Sequence, residues 1–260
     1  GSNFEIGGFV TGFNYFDGII DEVGVWDKEL SASEVTELYN SGAGKQYPTG
    51  IDAVWSDLLA YYTADSTPND ALGNFNGTLT NGATYGTGII SNGFSLDGVN
   101  DYVDLPNGTF APTGDFSLSC WCYFDTITGW VLNFGDYSTT EGIVLYIASN
   151  KMTGLVADGA FQITQGATTL STSTWYHVVF TSSATNGTNL YLNNSVDKSL
   201  PLNTKTPTYG ATEFARIGAR ANNSNYVNGI IDEVAVFEKE LSASDVTELY
   251  NSGAAKQYPN

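Results

Sequence analysis

Residues 229–259 read GIIDEVAVFEKELSASDVTELYNSGAAKQYP. Ile230 to Phe237 is rich in β-branched residues and reads as a strand. A helix follows: Ser242 is placed as N-cap with Asp245 three residues on, and Leu241 precedes the cap to staple onto the first turn. The helix is expected to run to about Asn251, with Gly253 ending it. Val246, Leu249 and Tyr250 share a face and are expected to pack back on the strands.

The same stretch occurs earlier in the chain. Residues 18–48 read GIIDEVGVWDKELSASEVTELYNSGAGKQYP and agree with 229–259 at 26 of 31 positions. The upstream copy carries Ser31 and Glu34 as a fuller capping box. Nothing resembling 51–212 precedes it. Residues 3–50 therefore read as the end of one repeat module (two strands and a helix), and 51–260 as the whole of the next, in a parent that is a tandem array. The first copy is expected to dock near Trp55, at a module boundary, or on a neighbouring chain. In the opposite arrangement the first copy closes the body and the second is left free.

Residues 51–212 read as strands throughout. Leu58–Thr63 is the first, and 69–87 is rich in Gly, Asn and Thr, marking loops and short strands. Residues 93–96 and 102–105 flank a turn at 97–101. Phe116, Leu118, Cys120, Cys122 and Phe124 alternate along one face of the next strand, and 130–134, 142–146, 175–181 and 189–192 complete the set. Trp175 is expected in the core, and Trp121 points away from the Phe116 row. After a short strand ending at Ile217-Gly218, 222–225 is a turn. Many short strands with one short C-terminal helix give an all-β, two-sheet antiparallel sandwich.

Composition narrows the function. The 260 residues carry 28 Asp and Glu against 9 Lys and Arg, a net charge of −19. With no basic stretch to neutralise phosphates, nucleic acid and anionic membrane surfaces are excluded as expected partners. No apolar run of about 18 residues spans a bilayer. Cys120 and Cys122 sit two apart on a strand, too far for an easy disulfide, and read as small buried hydrophobes.

The ordered pieces LLAYY (58–62), FSLDGVNDYV (94–103), FSLSCW (116–121), TWYHVVFT (174–181), NLYLN (189–193) and NGIIDEVAVFEKELS (228–242) resemble the laminin-G-like domain of the concanavalin A-like lectin and glucanase superfamily. The resemblance covers about 58–250. It implies a jelly roll and a secreted or surface module that binds glycans or proteins, often with calcium.

The superfamily includes glycosidases, so paired carboxylates matter. The resemblance implies Glu-x-Asp-x-x-Glu on one strand of such an enzyme. Here Asp232 and Glu233 point to opposite faces, and no strand carries that spacing. The single histidine, His177, lies mid-strand and reads as structural, so no nucleophile–histidine set assembles. The chain is expected not to be an enzyme.

Asp232 is the most informative acid. It lies in the apolar row of Ile230, Val234 and Val236, where a carboxylate must be paired or ligated. Asp65 or Asp101 is expected to join it around a structural calcium, and Asp70 and Asp97 sit in similar loops. The alternatives are backbone N–H bonds to Asp232, or pairing with Arg216 or Arg220. For a sugar, Trp130, Tyr137, Tyr146 and Phe161 are the candidate ring platforms, with Asp136, Arg220 and Asn222 as the polar rim. Two readings follow. One is a non-catalytic, lectin-like adhesion module binding a glycan or cell-surface polysaccharide on an extracellular or virion-surface protein. The other is a structural spacer or protein-interaction module of the array, contacting only neighbouring repeats.

Overall fold

The computed structural model describes residues 6, 16–20, 23–25, 30, 35, 53–106, 112, 114–135, 140–201, 205–209 and 214–258. The chain divides into two compact units, Gly1–Ala53 and Val54–Asn260. Most of the first copy, including Ser31, Glu34 and the strand expected around Trp26, lies outside the described residues.

The second unit is the expected sandwich. After a 3-10 turn at Ala53–Trp55, its strands are β1 (Leu58–Tyr62), β2 (Thr78–Thr80), β3 (Thr84–Thr87), β4 (Asn92–Asp97), β5 (Tyr102–Leu105), β6 (Phe116–Phe124), β7 (Trp130–Phe134), β8 (Glu141–Ala148), β9 (Lys151–Asp158), β10 (Phe161–Gln165), β11 (Trp175–Ser183), β12 (Gly187–Leu192), β13 (Ser195–Leu200), β14 (Ala215–Ile217) and β15 (Asn228–Phe237). All pairings are antiparallel. One sheet has the order β13-β12-β11-β6-β15-β4-β3, with β1 also on β15; the other has β10-β9-β8-β7-β14-β5-β2. β15 holds the first sheet together. It pairs with β6 on one side, and on the other with β4 along its first half and β1 along its second.

The Phe116, Leu118, Cys120, Cys122, Phe124 row lies wholly in the core between the sheets. The two thiols are free and buried, 3.6 Å apart. Three strands escape the sequence reading: β9, β10 and β13. β13 and β10 end their sheets, and β13 carries the polar sequence Ser-Val-Asp-Lys-Ser-Leu. Edge strands need no apolar row, and charge there blocks pairing with other chains.

A bulge corrects the phase of β15. Asp232 pairs with Trp121 and Ala235 with Ser119, so β15 has one more residue than β6 between the pairs. Glu233 absorbs it in the left-handed region at φ 50°. One extra residue flips the side chains beyond it. Before the bulge Ile231 faces the core; after it Val234 and Val236 do. Asp232 therefore lies not in their row but with Ile230, on the outer side of the sheet.

That outer side is covered by helix α1 (Ala243–Tyr250). Ser242 and Asp245 form both bonds of the capping box, and Asn251 caps the far end in left-handed conformation. Val246 and Leu249 pack with Val54, Trp55, Tyr61, Val179, Tyr191, Ala235, Phe237 and Leu241. Trp55 is 2% exposed and stacks on Phe237 at 6.0 Å, edge-on to Tyr61 and Tyr258. It belongs to the second unit's own packing. Trp175 is corrected: it shares the outer side with His177 and is half-buried against Tyr123.

Candidate functional site

Two groups of polar and aromatic residues stand out, one on each sheet. The first is on the outer side of the β10-β9-β8-β7 region. Along β8 and β9, Ile143, Leu145, Met152 and Val156 enter the main core, while Val144, Tyr146, Leu155 and Ala157 alternate to the other side. Trp130 joins this second cluster from β7 and Phe161 from β10. Trp130 and Tyr146 are 5.4 Å apart, and the Arg220 guanidinium lies 4.8 Å over the Trp130 ring.

The turn at 220–225 frames this face. Arg216, 5% exposed, donates to Arg220 O, Ala221 O and Asn223 Oδ1, while its Nε meets Asp104 at 3.2 Å. Asn222 is exposed beside Arg220 and accepts from Ser224. The Trp130 amide donates to Asn225 O at 2.8 Å. Gly129, at φ 113°, permits this approach, since any Cβ there would meet Tyr226 O at 2.8 Å. Five of the seven expected ligand residues thus come together: Trp130, Tyr146, Phe161, Arg220 and Asn222. Asp136 and Tyr137 lie outside the described residues.

The second group is acidic and surrounds the β15 bulge. Asp232 is fully buried and accepts from the amides of Ile89 (2.9 Å), Ile90 (3.2 Å) and Glu233 (2.8 Å). A side chain at Gly88 would strike this carboxylate. Of the alternatives open from sequence, backbone N–H bonds are the ones Asp232 makes; Arg216 is spent on Asp104. Burial pushes Asp232 up to about 7, against the three amide bonds, with nearby Asp65 adding to the rise. Burial pushes Glu233 up to about 8, with Gln257 opposing. Gln257 Nε2 bridges Asp65 Oδ2 (3.3 Å) and Glu233 Oε1 (3.4 Å). Glu233 Oε2 is buried without a hydrogen-bond partner.

The three expected metal residues are not all together. Asp65 accepts from the Asn92 amide at the start of β4, and Asp101 from Asp97 at its end, 3.2 Å, and from Gly82, 2.7 Å. Five strand steps separate the two ends, roughly 17 Å. Asp101 therefore organises a turn, as does Asp70, which accepts from the amides of Tyr61, Leu72, Asn74 and Phe75. Among the described residues no three His, Cys, Asp or Glu side chains group to hold a metal. What converges is the Asp65 and Glu233 carboxylates on the Gln257 amide nitrogen, which donates to both. Glu233 and Gln257 were missed from sequence because the bulge turns Glu233 and the C-terminal segment after α1 returns to bring Gln257 beside it.

His177 is 1% exposed, stacks on Trp121 at 5.0 Å and bonds Ser119 Oγ through Nε2 at 3.0 Å. Burial drives it down to about 3. It is a neutral packed ring.

Among the described residues, fifteen antiparallel strands in two sheets, with β1 and β15 side by side, define a jelly-roll sandwich. The chain belongs to the concanavalin A-like lectin and glucanase superfamily, whose laminin-G-like family matches residues 97–247, over half of the chain. No curated protein sequence matches it. Among solved structures it is similar to domain 4 of AbnA, a GH43 extracellular arabinanase from Geobacillus stearothermophilus, in complex with arabinotriose. The TM-score is 0.64 at 22% identity, over 77% of this chain and 98% of that one. It is also similar to the binding domain of Paraclostridial Mosquitocidal Protein 1 (TM-score 0.62, 17% identity, 77% of this chain and 53% of that). A third is the binding domain of botulinum neurotoxin DC in complex with rat synaptotagmin II (0.60, 15%, 77% and 52%). The chain spans about half the length of these toxin domains. At such identities the likeness is one of fold. Among the described residues no helix is long and apolar enough to cross a membrane.

Proposed function

We propose that this is a non-catalytic, lectin-like adhesion module of an extracellular or virion-surface repeat protein, binding a glycan through the outer side of the seven-stranded sheet. The observation that carries the reading is the pair of half-buried rings Tyr146 and Phe161, backed by the buried Trp130, with Arg220 and Asn222 at the rim. Sugar recognition needs apolar ring surface next to a few fixed polar groups. The arabinanase domain in complex with arabinotriose lends support from a shared fold. Absence of catalysis is part of the proposal: Asp232 and Glu233 are 0% and 4% exposed, with no access for a glycosidic bond.

A structural cation is proposed as well. Calcium would take the Asp65 and Glu233 carboxylates in place of the Gln257 amide N–H that bridges them here, with Asp232 behind them anchoring the 88–90 loop. This replaces the Asp65, Asp101, Asp232 set expected from sequence. A spacer or protein-binding role is the second reading, favoured by the near-identical repeat and by the toxin domain solved with synaptotagmin II.

A glycan array probed with the whole chain, with calcium and with EDTA, tests the first reading. Selective binding to a related group of oligosaccharides is expected. Uniform silence across the array under both conditions would favour the protein-binding role.

A further inference from the structure

We propose that the cavity between the end of α1 and the β12–β13 turn is a second saccharide site, for a neutral sugar ring. It is independent of the Trp130 cluster, which lies on the other sheet. The cavity holds about 500 Å³ and is lined by Asn194, Thr247, Glu248, Tyr250, Asn251 and Lys256, among others. That volume suits a small ligand.

The Tyr250 ring is its platform. It stacks on the buried Trp121 ring at 5.7 Å and 9°, with His177 5.9 Å away. A ring fixed by two others loses little entropy when a ligand settles on it. The polar groups are equally fixed. Asn194 Oδ1 accepts from Thr247 Oγ1 at 2.8 Å, and Asn251 Nδ2 donates to Ala255 O at 2.6 Å. Asn251 and Ser252 are both left-handed, at φ 46° and 57°, where helix ends usually take Gly. The chain keeps polar side chains at this end instead.

Charge selects the ligand class. The last carbonyls of α1 give this end of the helix a negative pole, and with Glu248 on the wall they disfavour an anion. Lys256 pairs with Glu248, which leaves no lone carboxylate to draw a cation. Amides, hydroxyls and an aromatic ring remain, which is the chemistry of an uncharged polyhydroxy ring. In sequence, Thr247, Glu248, Tyr250, Asn251 and Lys256 recur as Thr36, Glu37, Tyr39, Asn40 and Lys45.

Saturation-transfer NMR on the whole chain tests this, with glucose, galactose, mannose, arabinose and N-acetylglucosamine as separate probes. The variants are Asn194→Gly, which suits the left-handed backbone at φ 64°, and Lys256→Gln; Phe161→Ala reports the other sheet. At least one sugar is expected to receive saturation that persists in Phe161→Ala and falls about fivefold or more in Asn194→Gly or Lys256→Gln. Silence from all five sugars, or a signal lost in Phe161→Ala and unchanged in both cavity variants, overturns the proposal. An array hit that depends on Phe161 leaves the Trp130 reading standing in either case.

Discussion

Single side chains carry unequal weight in this molecule, and the acids divide into two kinds. Asp70 accepts four backbone amides and holds the loop after β1. Asp70→Ala leaves these donors without a partner and is expected to cost about 3 kcal/mol in denaturant unfolding. Asp232 and Glu233 are the other kind, held up to about 7 and about 8 by burial. An acid raised by folding favours the folded state below its unfolded value, near 4, and loses that contribution as pH climbs through its folded value. With EDTA present, the melting temperature is expected to fall between pH 5 and pH 9. Asp65 and Gln257 face the pair from the loop after β1 and from the C-terminal segment. The Cys122 thiol, on the core side of β6, is raised chiefly by burial and to a lesser extent by the Asp232 charge. Glu233→Gln is expected to flatten this fall, measured by thermal melts across the range; an unchanged slope would remove Glu233 from its cause.

Elements show where sequence suffices and where it stops. The Phe116–Phe124 strand was legible to the residue because strict alternation with large apolar groups has one reading. The helix was equally plain, since Ser242 and Asp245 sit at capping-box spacing. Ser242→Ala is expected to lower stability by about 1 kcal/mol, checked by urea unfolding. The β15 bulge was not legible. Ile-Ile-Asp-Glu-Val reads as an unbroken strand until pairing with β6 reveals the extra residue, and the error placed Asp232 with Val234 and Val236. β10 and β13 hid for another reason: Ile163 and Val196 are exposed, so no buried row marks them. In the candidate sites, ring-bearing residues were readable as types. Glu233, Gln257 and Asn194 were not, because turns and chain return bring them into place.

At the scale of the whole molecule, β15 has partners on both sides and α1 packs on the outer face, so the described strands of Val54–Asn260 pair among themselves in two sheets. A fragment of residues 51–260 is expected to unfold in one cooperative transition with a far-UV spectrum dominated by strand. Failure of that fragment to fold would mean the first copy is needed to close the body. Calcium bound only by the folded state is expected to raise the melting temperature with concentration, and Glu233→Gln to abolish the rise.

The glycan-binding reading is tested most directly by calorimetric titration of the best array oligosaccharide into the whole chain and into Phe161→Ala and Tyr146→Ala, each first shown to melt cooperatively. The expected result is an affinity weaker by about tenfold or more in both variants, the loss of roughly 1.4 kcal/mol or more that removing an aromatic platform entails. Equal affinity in all three would contradict it.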